Sequence, residues 1–362
     1  MQIMQKNRLH YLDVLRGIAA LAVCIQHIFG YLYHESTFQP LKPYFKFLIA
    51  DMVDWGRFGV VLFFLISGYI IPKSLKADSS LQKFLTSRIF RLYPAYWVTL
   101  FLIFISASYV EPHVKFTISQ LLANTTMIPK LFHQDYMGGV FWTLFIEILF
   151  YVCCVILFKC KWLDNPVIIG FIALLLNLTT PSSIIINYLF HLEIPIQYVS
   201  FHLSFLFLGN LLRLGLINNE KNALMFCWIF IFLSCLTIPI SSGIIVPVLE
   251  ATKTGFVMFT QASNVLAYCF AASLFIFAIY YKNFNNKFLV EIGEISYSLY
   301  LLHMLSFVFI TRFISLDSPL NVILFLLVSG FFSYWVAKLS FYFIEYPAIQ
   351  LGKEIIKLRN YA

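Results

Sequence analysis

Residues 12–31 read LDVLRGIAALAVCIQHIFGY, an apolar stretch that carries a guanidinium at Arg16 and an imidazole at His27. The two positions are 11 residues apart, which on an α-helix puts them about 16 Å apart along the axis and only about 20° apart around it. They share one face. If this helix crosses a bilayer, Arg16 lies near one surface and His27 at least halfway through a hydrocarbon layer of roughly 30 Å. A group that titrates near neutral pH is then held away from bulk water, where ionisable side chains are rare and usually functional. His27 is the candidate reactive base. The competing account is a histidine that merely joins helices.

Working outward, composition says the same of the whole chain. Hydrophobic residues make up 60%, charged residues 12%, and the mean hydropathy is +0.83, against roughly 25% charged in a soluble domain. This is the profile of a polytopic membrane protein. The 19% aromatic content, with 40 Phe and 21 Tyr, fits lipid-facing surfaces and interfacial belts rather than a nucleic-acid stacking platform. No cleavable signal is expected, because Asp13 and Arg16 interrupt the apolar region before Ala20-Leu21-Ala22. The seven cysteines lie in or beside apolar runs with no CxxC spacing, which argues for packing rather than for disulfides or structural zinc.

Hydropathy predicts an all-α bundle of about ten transmembrane helices, near 11–33, 57–72, 91–109, 140–158, 164–178, 196–216, 222–240, 256–280, 295–314 and 320–343. With both termini cytoplasmic, 17 of the 25 Lys and Arg residues fall in cytoplasmic segments and seven in outer loops, as the positive-inside rule requires. Lys6, Arg8, Lys76 and Lys253 enter that count. The net charge of +8 then needs no acidic partner. Residues 1–362 read as one membrane-embedded unit, with two long outer loops at 34–56 and 110–139 and a short amphipathic cytoplasmic tail at 344–362.

Several further segments carry polar groups at membrane depth. In VVLFFLISGYII, Ser67-Gly68 removes bulk in mid-helix, either for helix packing or for a ligand. SRIFRLYPAYW places Arg88 and Arg91 three apart on one side of an incoming helix, with Pro94 at a helix start or kink. Two guanidiniums there form a phosphate clamp or serve only to orient the chain. Glu147 lies in FWTLFIEILFYVCC beside Trp142, Thr143 and Tyr151, and its cost in lipid calls for a partner, His27 or an arginine. In EISYSLYLLHMLSF, Ser296, Tyr300 and His303 share a face, while Tyr297 and Ser298 turn elsewhere. Near the end, Glu345-Tyr346-Pro347 is expected to stop a helix, with Glu345 a partner for Arg88 or Arg91.

In this order, YLDVLRGIAALAV with Arg16 and His27, FFLISGYII, RIFRLYPAYW, FWTLFIEILFY, ISYSLYLLH and FIEYP resemble the acyltransferase 3 family. These are integral-membrane enzymes that move acyl groups, mostly acetyl, onto cell-surface and other carbohydrates. The resemblance spans most of the chain. It implies catalytic roles for His27 and Glu147, and donor binding by Arg88, Arg91 and Arg16. It also implies a substrate pocket drawn from Asp13, Ser67, Gly68, Trp142, Thr143, Tyr151, Ser296, Tyr300 and His303.

One departure is Thr143 where the family commonly has serine, which keeps the hydroxyl. Some members append an esterase-like extracytoplasmic domain. Here no hydrophilic block is large enough for one, so either the bundle completes the transfer or a separate partner does. The resemblance further implies acetyl-CoA as co-substrate, no tightly bound cofactor or metal, a carbohydrate or lipid-linked glycan acceptor, no nucleic-acid partner, and residence in the inner cell membrane. His27 would act as general base or carry the acyl group itself. A transporter or flippase with a His/Glu proton relay is the alternative class, although the two related halves common in transporters are not evident.

Overall fold

The computed structural model describes residues 9–75, 81–110, 115–190, 196–252, 260–282 and 284–359. Among them every regular element is helical. In chain order the α-helices are α1 (His10–Glu35), α2 (Lys42–Lys46), α3 (Trp55–Ile70), α4 (Leu81–Val110), α5 (Ile118–Asn124), α6 (Trp142–Lys159) and α7 (Pro166–Phe190). They continue as α8 (Ile196–Ile217), α9 (Lys221–Thr252), α10 (Gln261–Tyr281), α11 (Lys287–Glu294), α12 (Ser296–Ile310), α13 (Pro319–Ser340) and α14 (Tyr346–Arg359).

Each of the ten predicted apolar stretches coincides with a helix, yet among the described residues only seven helices are long and apolar enough to span a bilayer. These are α1, α4, α6, α8, α9, α10 and the continuous run through α13 and α14. An eighth arises if α11 and α12, bent by 77°, count as one broken span. The shortfall from ten has local causes. α3 has 16 residues, about 24 Å of helix against a layer of roughly 30 Å. In α7 the described apolar stretch runs over Pro166–Thr179, ahead of Pro181. The chain is a multi-pass helical membrane protein. Lys6, Arg8, Lys76 and Lys253 of the predicted charge asymmetry lie outside the described residues.

The helices group into two compact units. The first comprises Met1–Gly30, Pro43–Ser74 and Ile146–Glu294. Small residues let its backbones approach, as they do in membrane bundles generally. A Cβ at Gly68 of α3 would overlap the Leu206 carbonyl of α8, and one at Gly209 of α8 would overlap the Leu65 carbonyl of α3. Gly17 and Gly293 bring α1 and α11 together in the same way. Polar ties span the apolar interior: Asn177 donates to Ser234 at 3.1 Å and accepts from Thr237 at 2.8 Å. Buried Arg213 pairs with Asp164 at 2.5 Å and donates to Asn210. Arg213 lies in the last turns of α8, within the predicted 196–216 span.

The second unit comprises Tyr31–Lys42, Leu75–Phe145 and Ile295–Ala362. Here α4 packs against α12 and α14, and α12 against α13. The predicted stop at Glu345-Tyr346-Pro347 does not occur, because the helix runs on from α13 through a π-helical turn, Phe341–Glu345, into α14. The wider turn lets the helix continue past Pro347, which has no amide hydrogen to donate. The tail then lies along α4, where a Cβ at Gly352 would come within 2.8 Å of Phe90. Pro94 is inside α4, and α4 begins at Leu81, so Arg88 and Arg91 are helical residues.

Residues 115–141 are folded rather than plain connectors. Asn124, fully buried at the end of α5, donates its amide to the carbonyls of Gln120 and Asp135 at 2.9 Å each and accepts from the Met137 amide at 3.1 Å. Tyr96 of α4 donates to the Asn124 carbonyl at 2.7 Å. Beyond the helical segments, hydrogen bonds from Asn321 and Ser315 hold the exposed Asp317 carboxyl below the usual carboxylate range.

Candidate active site

The sequence-predicted site residues fall in both units. In the first, Asp13 and Arg16 occupy successive turns of α1, and the Arg16 guanidinium meets the Asp13 carboxylate at 3.1 Å. Asp13 is 3% exposed and Arg16 half-buried. The Asp13 carbonyl packs on Gly293 of α11, so this end of α1 is held in place. His27 lies eleven residues further along the same helix, half-buried.

Its neighbour Gln26 fixes that part of α1. The Gln26 amide donates to the Ile49 carbonyl at 3.3 Å, and its oxygen accepts from the Trp55 amide at 3.0 Å, at the start of α3. Both sides of the carboxamide are used, which sets the rotation of the helix at His27.

Glu147, half-buried on α6, accepts a hydrogen bond from the Tyr151 hydroxyl at 2.6 Å, one turn on. This local partner lowers the cost of a carboxylate in an apolar helix. The gap at Gly68 is filled by the α8 backbone. Ser67 is half-buried beside it, and its carbonyl accepts from the Ile71 amide at 2.9 Å.

In the second unit, Thr143, Tyr300 and His303 form a buried polar cluster. The hydroxyls of Thr143 and Tyr300 are 2.7 Å apart, and the Val140 carbonyl accepts from each at 2.9 Å. His303 Nδ1 faces the carbonyls of Tyr300 at 2.8 Å and Leu299 at 3.2 Å. Carbonyls only accept, so the neutral ring carries its proton on Nδ1 and presents Nε2 as the basic nitrogen. Trp142 is half-buried at the start of α6, and Ser296 is buried at the start of α12.

Tyr297 and Ser298 turn to other partners: the Tyr297 hydroxyl donates to the Leu92 carbonyl of α4 at 2.8 Å, and Ser298 to Glu345 at 2.8 Å. Ser298 is thus one partner of Glu345. Arg88 lies over the Phe84 ring, 5.5 Å from its centroid, and Arg91 is half-buried one turn later.

The acyltransferase 3 profile, described as an acyltransferase domain, matches residues 9–340. The chain belongs to the acyltransferase 3 family. A protein of Acidianus two-tailed virus named "Putative acetyltransferase ORF330" is 29% identical over 146 residues, 40% of this chain and 39% of that protein. The chain therefore spans well under half the length of that relative. No solved structure matches.

Within this acyltransferase 3 chain, the first-helix Arg–His pair, the arginines of α4 and the acidic residue of α6 are all on regular helix, on positions fixed by packing. Sequence reasoning passed over two groups. Gln26 braces α1 beside His27. Arg57 meets His202 at 3.3 Å and Asp54 at 3.6 Å, tying α3 to α8. His202 stood in the apolar run FHLSFLF, and an ionisable group at that depth was the signal available. Among the described residues no three His, Cys, Asp or Glu side chains are grouped to hold a metal ion.

Proposed function

We propose that this protein transfers an acyl group, acetyl by preference, from cytoplasmic acyl-CoA to a hydroxyl of a cell-surface or lipid-linked carbohydrate, within the inner cell membrane and with both termini cytoplasmic. The observation that carries the reading is Arg16, oriented by Asp13 on the same helix face as His27, in a chain of the acyltransferase 3 family. Arg88 and Arg91 bind the donor's phosphates, because guanidiniums pair with phosphate in two-pronged fashion, and Arg16 is a further donor-binding residue.

His27 takes the proton of the acceptor hydroxyl as its oxygen attacks the thioester carbonyl. The C–S bond breaks, and coenzyme A leaves as the thiolate and is then protonated, giving an O-acyl ester. In the second route the imidazole attacks first, carries the acyl group, and passes it to the hydroxyl. Glu147, held by Tyr151, supplies negative charge that favours the imidazolium. Thr143, Tyr300 and His303 offer hydroxyls and a basic nitrogen for a hydroxylated acceptor, with Trp142 and Ser296 on the same two helices.

Labelled acetyl-CoA supplied to inverted membrane vesicles tests the reading: label recovered as alkali-labile ester on glycan supports it. Label that stays in coenzyme A while a solute crosses the membrane would establish a transporter instead.

A further inference from the structure

In the second unit, a cavity of about 210 Å³ opens between the C-terminal half of α4, the C-terminal half of α12 and the 116–139 segment. Its walls include Ile103, Met137, Gly139, Met304, Leu305 and Val308, and no charged side chain lines it. The chemistry excludes nucleotide and phosphate and suits hydrocarbon, with two flexible methionines able to follow an irregular chain. An apolar cavity of roughly 150 Å³ holds a six-carbon ring, so this one takes about eight carbons. Its wall is built in advance, since Asn124 clamps the backbone at Asp135 and Met137 by two hydrogen bonds.

Two relationships say what the chain is attached to. Met304 lies one turn beyond Tyr300 on the same face of α12, and Gly139 directly precedes Val140, whose carbonyl accepts from Tyr300. The hydrocarbon therefore begins beside the Thr143–Tyr300 hydroxyl pair. Along α4, Ile103 is twelve residues past Arg91, about 18 Å of helix. A two-carbon acetyl group would leave the cavity unfilled.

We propose that this cavity holds the first carbons of a lipid anchor carried by the acceptor glycan, with the polar head at Thr143 and Tyr300. The proposal rests on the assignment of Arg88 and Arg91 to the donor. Gly139 supplies the test, because a Cβ there meets nothing within 4 Å and its φ is not positive. Gly139→Leu thus obstructs the cavity without straining the backbone.

A photoreactive isoprenoid phosphate should label peptides containing Met137 or Met304 in the wild-type protein, with labelling reduced about tenfold in Gly139→Leu that elutes like wild type in detergent. The ratio of KM for a lipid-linked acceptor to KM for the same glycan without lipid should rise about tenfold, a loss of about 1.4 kcal/mol. Equal labelling of both proteins would mean an ordinary bilayer-facing crevice and overturn the proposal. So would a variant that discriminates octanoyl-CoA from acetyl-CoA but not the two acceptors, since the cavity would then serve the acyl group. Photolabelling needs no turnover, so it separates failure of this proposal from absence of acyl transfer.

Discussion

The Asp13 carboxylate meets the Arg16 guanidinium at 3.1 Å, one turn apart on α1, with the acid buried and the base half-buried. A buried carboxylate that orients a guanidinium fixes where that cation presents its remaining donors. Asp13→Asn keeps the shape and removes the charge. It should raise KM for acetyl-CoA about tenfold, equivalent to about 1.4 kcal/mol, with Asp13→Glu recovering part of the loss. Steady-state kinetics in vesicles check this, and an unaltered donor KM would remove Asp13 from the site.

His27 is held beside a braced Gln26 and is not part of the fully buried core. His27→Ala should therefore leave insertion and thermal unfolding near wild type while transfer falls by about 10²–10⁴, the range for loss of a general base. A variant that still transfers acetyl at the wild-type rate refutes the assignment.

Arg88 and Arg91 lie one turn apart on α4. The double substitution Arg88→Ala with Arg91→Ala should weaken the donor more than the acceptor, by about tenfold or more in KM. Titrating acetyl-CoA at saturating acceptor, and the reverse, provides the comparison. Equal effects on both substrates would assign the pair to chain orientation.

Gly68 is closed by the Leu206 backbone. Gly68→Ala should destabilise the first unit by about 1–3 kcal/mol, because a backbone carbonyl cannot move aside as a side chain can. A fall in the detergent unfolding temperature, absent in Gly139→Ala, is the expected result. Matching unfolding temperatures would show that α3 and α8 do not pack so closely.

Much of the fold was legible because lipid imposes simple rules on sequence. Each predicted apolar stretch became a helix, since a backbone in hydrocarbon has to satisfy its own hydrogen bonds. The count of full spans was less legible. The break between Glu294 and Ser296, the short α3 and the continuous run through Pro347 depend on how neighbouring helices support local geometry, which hydropathy does not record. The same holds at the candidate site, where the helix periodicity placed Tyr297 and Ser298 away from Tyr300 but could not say that Glu345 would receive Ser298.

The sequence by itself determined that the chain is a helical membrane protein, that Arg16 and His27 share a helix face, and that its ordered motifs are those of an acyltransferase. The first two follow from composition and from the 3.6-residue period, which are local properties, and the third from the resemblance of the motifs to the acyltransferase 3 family. Only the tertiary structure decided that Gly68 is spent on a helix crossing, that Glu147 is held by Tyr151, and that an apolar cavity opens beside the Thr143–Tyr300 pair. Those depend on which residues distant in the chain come to touch, and packing sets that where no periodicity can.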